Sequence, residues 1–207
     1  SLASCDSCRI KPELCHYSQG TCRQPQWGED NCLKPHIVYL SYTSGFKVGI
    51  TRAANLPDRW IDQGATCAVP LFEVRERLIS GEVEEAFKKL VADKTNWRKM
   101  LMSDEKPTES EILAKVEELV AEAKDAVDAL SIKFGADSIK RLTPEITNIT
   151  YPMGERPFEK VGMPHNLDKK PELSGKLHGI KGQYLYIGNT IINFRKYAGY
   201  KLSITEL

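Results

Sequence analysis

The chain has 207 residues, a formal net charge of +1, 41% hydrophobic and 28% charged residues. That is enough for a sizeable core in one or two domains, and the near-neutral balance excludes a globally basic nucleic-acid binder while leaving local patches open. No run of about 18 apolar residues exists to span a membrane and no apolar signal core opens the chain, so the sequence reads as soluble, intracellular and cytoplasmic, with no membrane partner.

Five of the six cysteines, Cys5, Cys8, Cys15, Cys22 and Cys32, fall in the first 32 residues. Segment 1–36 has little apolar periodicity, so it cannot bury enough surface to fold by itself. A C-x-x-C knuckle at Cys5 and Cys8 presents two thiolates to one ion, and zinc takes about four such ligands. The remaining candidates are Cys15, His16, Cys22, Cys32 and His36. The expectation is a structural zinc held by Cys5, Cys8 and two of these, in a reducing compartment.

From His36 the pattern turns to short apolar runs. Ile37–Leu40, a Thr43-Ser44-Gly45 turn and Phe46–Ile50 read as a β-hairpin. Residues 55–63 read as a short helix with Asn55 as cap and Pro57 in its first turn. Residues 66–77 alternate as a third strand, in which Pro70 marks an edge or a bulge. A helix follows from Ser80 to about Val91, with Val83, Phe87, Leu90 and Val91 as its stripe. A long amphipathic helix spans about 108–134, opened by a Thr108/Glu111 capping box. After Gly135 prolines break the pattern. Tyr184–Ile187, Gly188-Asn189 and Ile191–Phe194 then read as a small antiparallel β module. From residue 139 onward eleven Lys/Arg face six Asp/Glu. The tyrosines and Phe194 there alternate with Lys181, Arg195 and Lys196, a composition suited to stacking on single-stranded nucleic acid.

Four blocks carry a resemblance over nearly the whole chain: CDSC…PELCHYSQGTCRQPQWGEDNC, HIVYLSYTSGFKVGITRAANLPDRWIDQGA, SGEVEEAFKKLVADKTNWRKML and ELSGKLHGIKGQYLYI…INFRKYAGY. In this order they resemble the bacterial domain of unknown function 2797 family. In that family a further cysteine-rich stretch often precedes the first block.

The run VYL, KVGIT, DRW and a helix bearing Glu is similar, more distantly, to the GIY-YIG nuclease superfamily. That resemblance implies a three-stranded sheet with flanking helices and a phosphodiester-cleaving site. It places Tyr39 as the first tyrosine, Gly49 as the glycine of the second motif and Arg59 as the phosphate-binding arginine. Glu84, with Glu85 as alternative, becomes the ligand of a Mg²⁺ or Mn²⁺ ion, and Asn96 matches a late asparagine. Lys47 stands where a tyrosine is expected, and the first motif lacks its usual glycine. A lysine needs burial or a neighbouring cation to serve as a base at neutral pH.

The sequence thus gives an α+β chain in three parts. Residues 1–36 are the zinc-binding cysteine module. Residues 37–135 are the GIY-YIG-like domain with its long helix, and 136–207 are the β-rich module. The implied function is a nucleic-acid-interacting phosphodiesterase with Tyr39, Lys47, Arg59 and Glu84 in its site. The alternatives are a non-catalytic nucleic-acid binder and a zinc-stabilised protein adaptor. Oligomeric state, and DNA against RNA, are not legible.

Overall fold

The computed structural model describes residues 7–91, 95–156 and 159–206. Residues 7–10 are helical, followed by 3₁₀ turns at Pro12–Leu14 and Tyr17–Gln19 and by helix α1 (Pro25–Asn31). Pro25 opens α1 because a proline lacks only an N–H that the first turn leaves unbonded anyway.

Strands β1 (His36–Tyr42) and β2 (Phe46–Arg52) form the expected hairpin, with His36 opposite Arg52 and Tyr42 opposite Phe46. The single helix expected over 55–63 is instead a 3₁₀ turn, Ala53–Asn55, and a short helix α2 (Asp58–Asp62). Leu56 lies between them in an extended conformation. A residue before proline is pushed out of the helical region, so no helix runs through Leu56-Pro57 and Asn55 ends a turn rather than capping a helix.

β3 (Cys67–Val74) pairs antiparallel with β1, and the register slips at Val38/Tyr39, opposite Pro70. Proline cannot donate to the ladder, so Pro70 marks a bulge and not an edge. The other side of β3 is covered by two strands the sequence pattern does not announce, β4 (Ile139–Arg141) and β5 (Thr147–Asn148). The sheet order is β2-β1-β3-β4, with β5 also on β3, so the division at 135 cuts through this sheet.

Helix α3 (Arg77–Lys88) begins before Ser80 and packs Ile79, Val83 and Phe87 onto Val38, Leu40 and Val48. A short helix α4 (Trp97–Met102) follows, and the long helix α5 (Glu109–Phe134) opens with both halves of the capping box in place. Its stripe of Ile112, Val116, Leu119, Ala123 and Val127 completes the main core. Among the described residues no helix is long and apolar enough to cross a membrane.

The C-terminal sheet is β6 (Leu177–Lys181), β7 (Tyr184–Ile187) and β8 (Thr190–Asn193), antiparallel in that order. It shares a second core with α4, in which Tyr184, Tyr186 and Ile191 meet Met100 and Leu101. The glycine turn between β6 and β7 presses on the end of α2: a Cβ on Gly182 would stand 2.9 Å from the Asp62 carbonyl oxygen. The β module is therefore packed on the rest of the chain, in a mixed α+β architecture.

Candidate functional site

Opposite partners in an antiparallel pair point to one face. On one face β1 presents Ile37, Tyr39 and Ser41, and β2 presents their partners Thr51, Gly49 and Lys47. Tyr39 and Lys47 thus share a face from neighbouring strands, as the resemblance requires. Tyr39 is fully enclosed. Its ring lies across Gly49, where a Cβ would stand 2.9 Å from the phenol oxygen. Trp60 of α2 packs edge-on against it with ring centroids 5.8 Å apart. The Tyr39 hydroxyl donates to Gln63 Oε1 at 2.9 Å. Burial raises the phenol pKa, against the pull of Arg59.

Lys47 is only 8% exposed. Burial, then the Arg59 guanidinium, lowers its pKa to about 8, with Glu84 acting in the opposite sense. Arg59, one helix on, and Glu84, a strand and a helix further, both act on Tyr39 and Lys47. Charge thus links four residues from four elements, with Tyr39 and Lys47 on one face of the sheet and Glu84 on the helix packed against the other. The Glu84 carboxyl is held above its ordinary range by burial, with Glu85 and Glu13 adding and Lys88 and Arg77 opposing. Lys88 Nζ lies 3.9 Å from Glu84 Oε2 and pairs with Glu85. Asn96 is not part of this group: its side chain accepts from Lys99 N–H and caps α4.

Three members escape a reading of the sequence. Gln63 lies four residues after Arg59, a helical spacing that offers a hint. Ser41 follows from strand alternation once Tyr39 is chosen. Glu13 carries no signal, because it arrives by docking of a distant segment. Among the described residues five buried side-chain polar atoms lack a hydrogen-bond partner, and three of them, Glu13 Oε2, Ser41 Oγ and Trp60 Nε1, belong to residues around this cluster. Such orphans are uncommon in folded chains.

The cysteine module offers a second locus. Burial raises the Cys32 thiol pKa, Arg77 opposes it, and Cys15, Cys8 and Cys22 add to it. These four cysteines, which are thiols, thus share one locality, whereas Cys5 lies outside the described residues. His16 is engaged through Nδ1 with Thr21 Oγ1 at 2.7 Å. His36 is buried, with Nδ1 at 2.7 Å from the Lys34 carbonyl, and burial lowers its pKa to about 4. Among the described residues no group of three or more His, Cys, Asp or Glu is arranged to hold a metal ion. The donor chemistry of four gathered thiols nonetheless suits a soft divalent ion in kind.

The three basic residues expected to meet nucleic acid separate. Lys181 is fully buried, its ammonium donating to the Ser103 carbonyl at 2.6 Å and to Asp104 Oδ1 at 2.8 Å. It is committed inside the fold and cannot meet a phosphate, because β6 turns it under α4. Arg195 is exposed and pairs with Asp62 of α2 at 3.7 Å, and Lys196 is exposed and pairs with Asp168 at 3.4 Å. Among the aromatics, Tyr184, Tyr186 and Tyr197 are buried, while Phe194 and Tyr200 face solvent.

A family model described as "Protein of unknown function (DUF2797)" matches residues 1–202. No curated protein and no solved structure matches the chain.

Proposed function

We propose that this chain, which belongs to the DUF2797 family, is a divalent-cation-dependent phosphodiesterase acting on nucleic acid, with a GIY-YIG-like site and a zinc-stabilised cysteine module. What supports the reading is that Tyr39 and Lys47 share one sheet face, that Arg59 of α2 acts on both, and that Glu84 acts on them from α3. Residues so far apart in sequence meet only when the strand pairing and both helix positions are right.

Phosphodiester hydrolysis needs a base for the attacking water and fixed charge where negative charge develops. Lys47 suits the first role: with a pKa of about 8, about a tenth of it is the free amine at pH 7. The substitution of lysine for tyrosine is thereby rationalised, since burial and Arg59 supply what an ordinary lysine lacks. Arg59 presents the positive charge to a phosphate oxygen. Tyr39, being enclosed, positions its neighbours rather than touching substrate. The Glu84 carboxylate would hold a divalent ion, which would supply Lewis-acid charge. Arg195, next to α2, extends the basic surface along a bound strand.

The enclosure of Tyr39 favours a second reading, binding without cleavage. Cleavage of single- and double-stranded DNA and RNA with Mg²⁺ or Mn²⁺ separates the two, comparing the parent with Glu84→Ala and Arg59→Ala. Turnover lost in both variants supports the phosphodiesterase. Cleavage indifferent to Glu84→Ala refutes it, and binding without cleavage by the parent establishes the second reading.

A further inference from the structure

The sheet face that carries Tyr39 and Lys47 also carries a hydroxyl with nothing to bond. Ser41 of β1 stands directly opposite Lys47 of β2 on one side and Ala68 of β3 on the other. Opposite residues in antiparallel strands share a face, with Cβ atoms about 4.5–5.5 Å apart. Neither neighbour can accept the Ser41 proton, because an ammonium only donates and alanine has no polar atom. Tyr39, two residues back, has its hydroxyl committed to Gln63. Ser41 is 1% exposed, and its Oγ is shut off from solvent without a hydrogen-bond partner among the described residues.

Trp60 brings a second such donor to the same layer. Its ring packs edge-on against Tyr39 and belongs to one apolar cluster with Ala68, the residue opposite Ser41. Trp60 is 4% exposed, and its Nε1, which can only donate, is likewise enclosed and without a partner. Donors held out of water are costly until an acceptor meets them. Here they flank Lys47, so the complement they share is an anion rich in oxygen. They approach from the sheet and from α2, and a tetrahedral phosphoryl group has oxygens that point to both. Fixed donors of this kind stabilise charge that develops on such oxygens.

We infer that Ser41 Oγ and Trp60 Nε1 are the donors that hold the non-bridging oxygens of a phosphoryl group presented to Lys47. The inference deepens the proposed phosphodiesterase reading and rests on it. It also separates Ser41 and Trp60 from Tyr39, which is equally enclosed but already bonded. Because both donor atoms are enclosed, the phosphoryl group reaches them as α2, only five residues long, lifts from the sheet.

The test is binding by the full chain without divalent ions, followed by calorimetry. The probes are inorganic phosphate and a short single-stranded oligodeoxynucleotide, and the parent is compared with Ser41→Ala and Trp60→Phe. Each variant is expected to bind both probes about tenfold or more weakly, the effect of losing one hydrogen bond to a charged group. The ligand-free unfolding midpoint of Ser41→Ala should hold or rise, because the oxygen it removes has no partner. Parental affinity in Ser41→Ala, or a lowered midpoint that marks the hydroxyl as structural, overturns the assignment of Ser41. Parental affinity in Trp60→Phe overturns that of Trp60, and if this variant fails to fold, Ser41→Ala still decides. Binding of inorganic phosphate but not of the oligonucleotide overturns the link to nucleic acid. A parent that binds neither probe overturns the inference, whereas the phosphodiesterase reading is judged separately, by whether cleavage is lost in Glu84→Ala and Arg59→Ala.

Discussion

Lys47 is the residue whose chemistry departs furthest from its ordinary behaviour, and its departure has a sign that can be measured. Its pKa is about 8 in the folded chain against 10.5 for an ordinary lysine. Between those values the unfolded chain binds more protons than the folded one, so this group's contribution to stability rises as pH rises from about 8 to about 10.5. The full swing is about 3 kcal/mol at 1.36 kcal/mol per unit. In metal-free protein, Lys47→Met should therefore be more stable than the parent near pH 7, with the gap narrowing toward pH 10. Denaturant midpoints at several pH values check this, and a gap that widens with pH contradicts a depressed lysine. A second residue, Gly49, is required by contact rather than by backbone conformation. A methyl group there would press on the Tyr39 phenol, which is enclosed and bonded to Gln63, so Gly49→Ala should cost about 1–3 kcal/mol, the usual range for overpacking. Tyr39, Lys47, Arg59 and Glu84 were picked out by the resemblance, and strand alternation accounts for Tyr39 and Lys47 sharing a face. The seat of Glu13 on α3 was not legible, because no local pattern records where an apolar-poor segment will dock.

Elements with a strong local code were read well, and those held by tertiary pairing were not. The long helix announces itself through a capping box and a regular apolar stripe. In the structure Thr108 Oγ1 accepts from the Glu111 N–H, while Glu111 Oε2 accepts from the Thr108 N–H at 2.7 Å. Thr108→Ala should cost about 1 kcal/mol, visible as a small drop in the unfolding midpoint. β4 and β5 span three and two residues, too few for a period of two to emerge. They exist because β3 would otherwise leave ladder groups unpaired. The contact between Gly81 and the Pro12–Leu14 turn is likewise invisible in sequence. Alanine at 81 would meet backbone atoms that have no rotamer to escape into. Gly81→Ala is expected to loosen the cysteine module from α3, so that limited proteolysis cuts within residues 7–35 while the main core stays resistant. Equal resistance in parent and variant would show that this contact does not hold the module.

For the molecule as a whole, the question is what orders residues 7–35. Ile10, Leu14 and Trp27 there are exposed, and the buried positions in Pro12–Leu14 and α1 are Pro12 and Gly28. So little burial cannot offset the ordering entropy of about 1–2 kcal/mol per residue. Docking on α3 contributes, and Arg52 adds a bond to Asn31, but these are few contacts for so long a segment. On the proposed reading, a metal held by cysteine thiols of this segment would supply the remainder in the way small metal modules do, where binding energy is folding energy. Elemental analysis of protein purified without added metal is expected to find at least one zinc per chain. Chelation should then open residues 7–35 to protease and lower the unfolding midpoint, and Cys22→Ser should do the same. Cys67→Ser, in the hydrophobic core, should lower the midpoint without changing metal content. Zinc-free protein with parental protease resistance and an unchanged midpoint would leave docking alone to order the module and would remove zinc from its account.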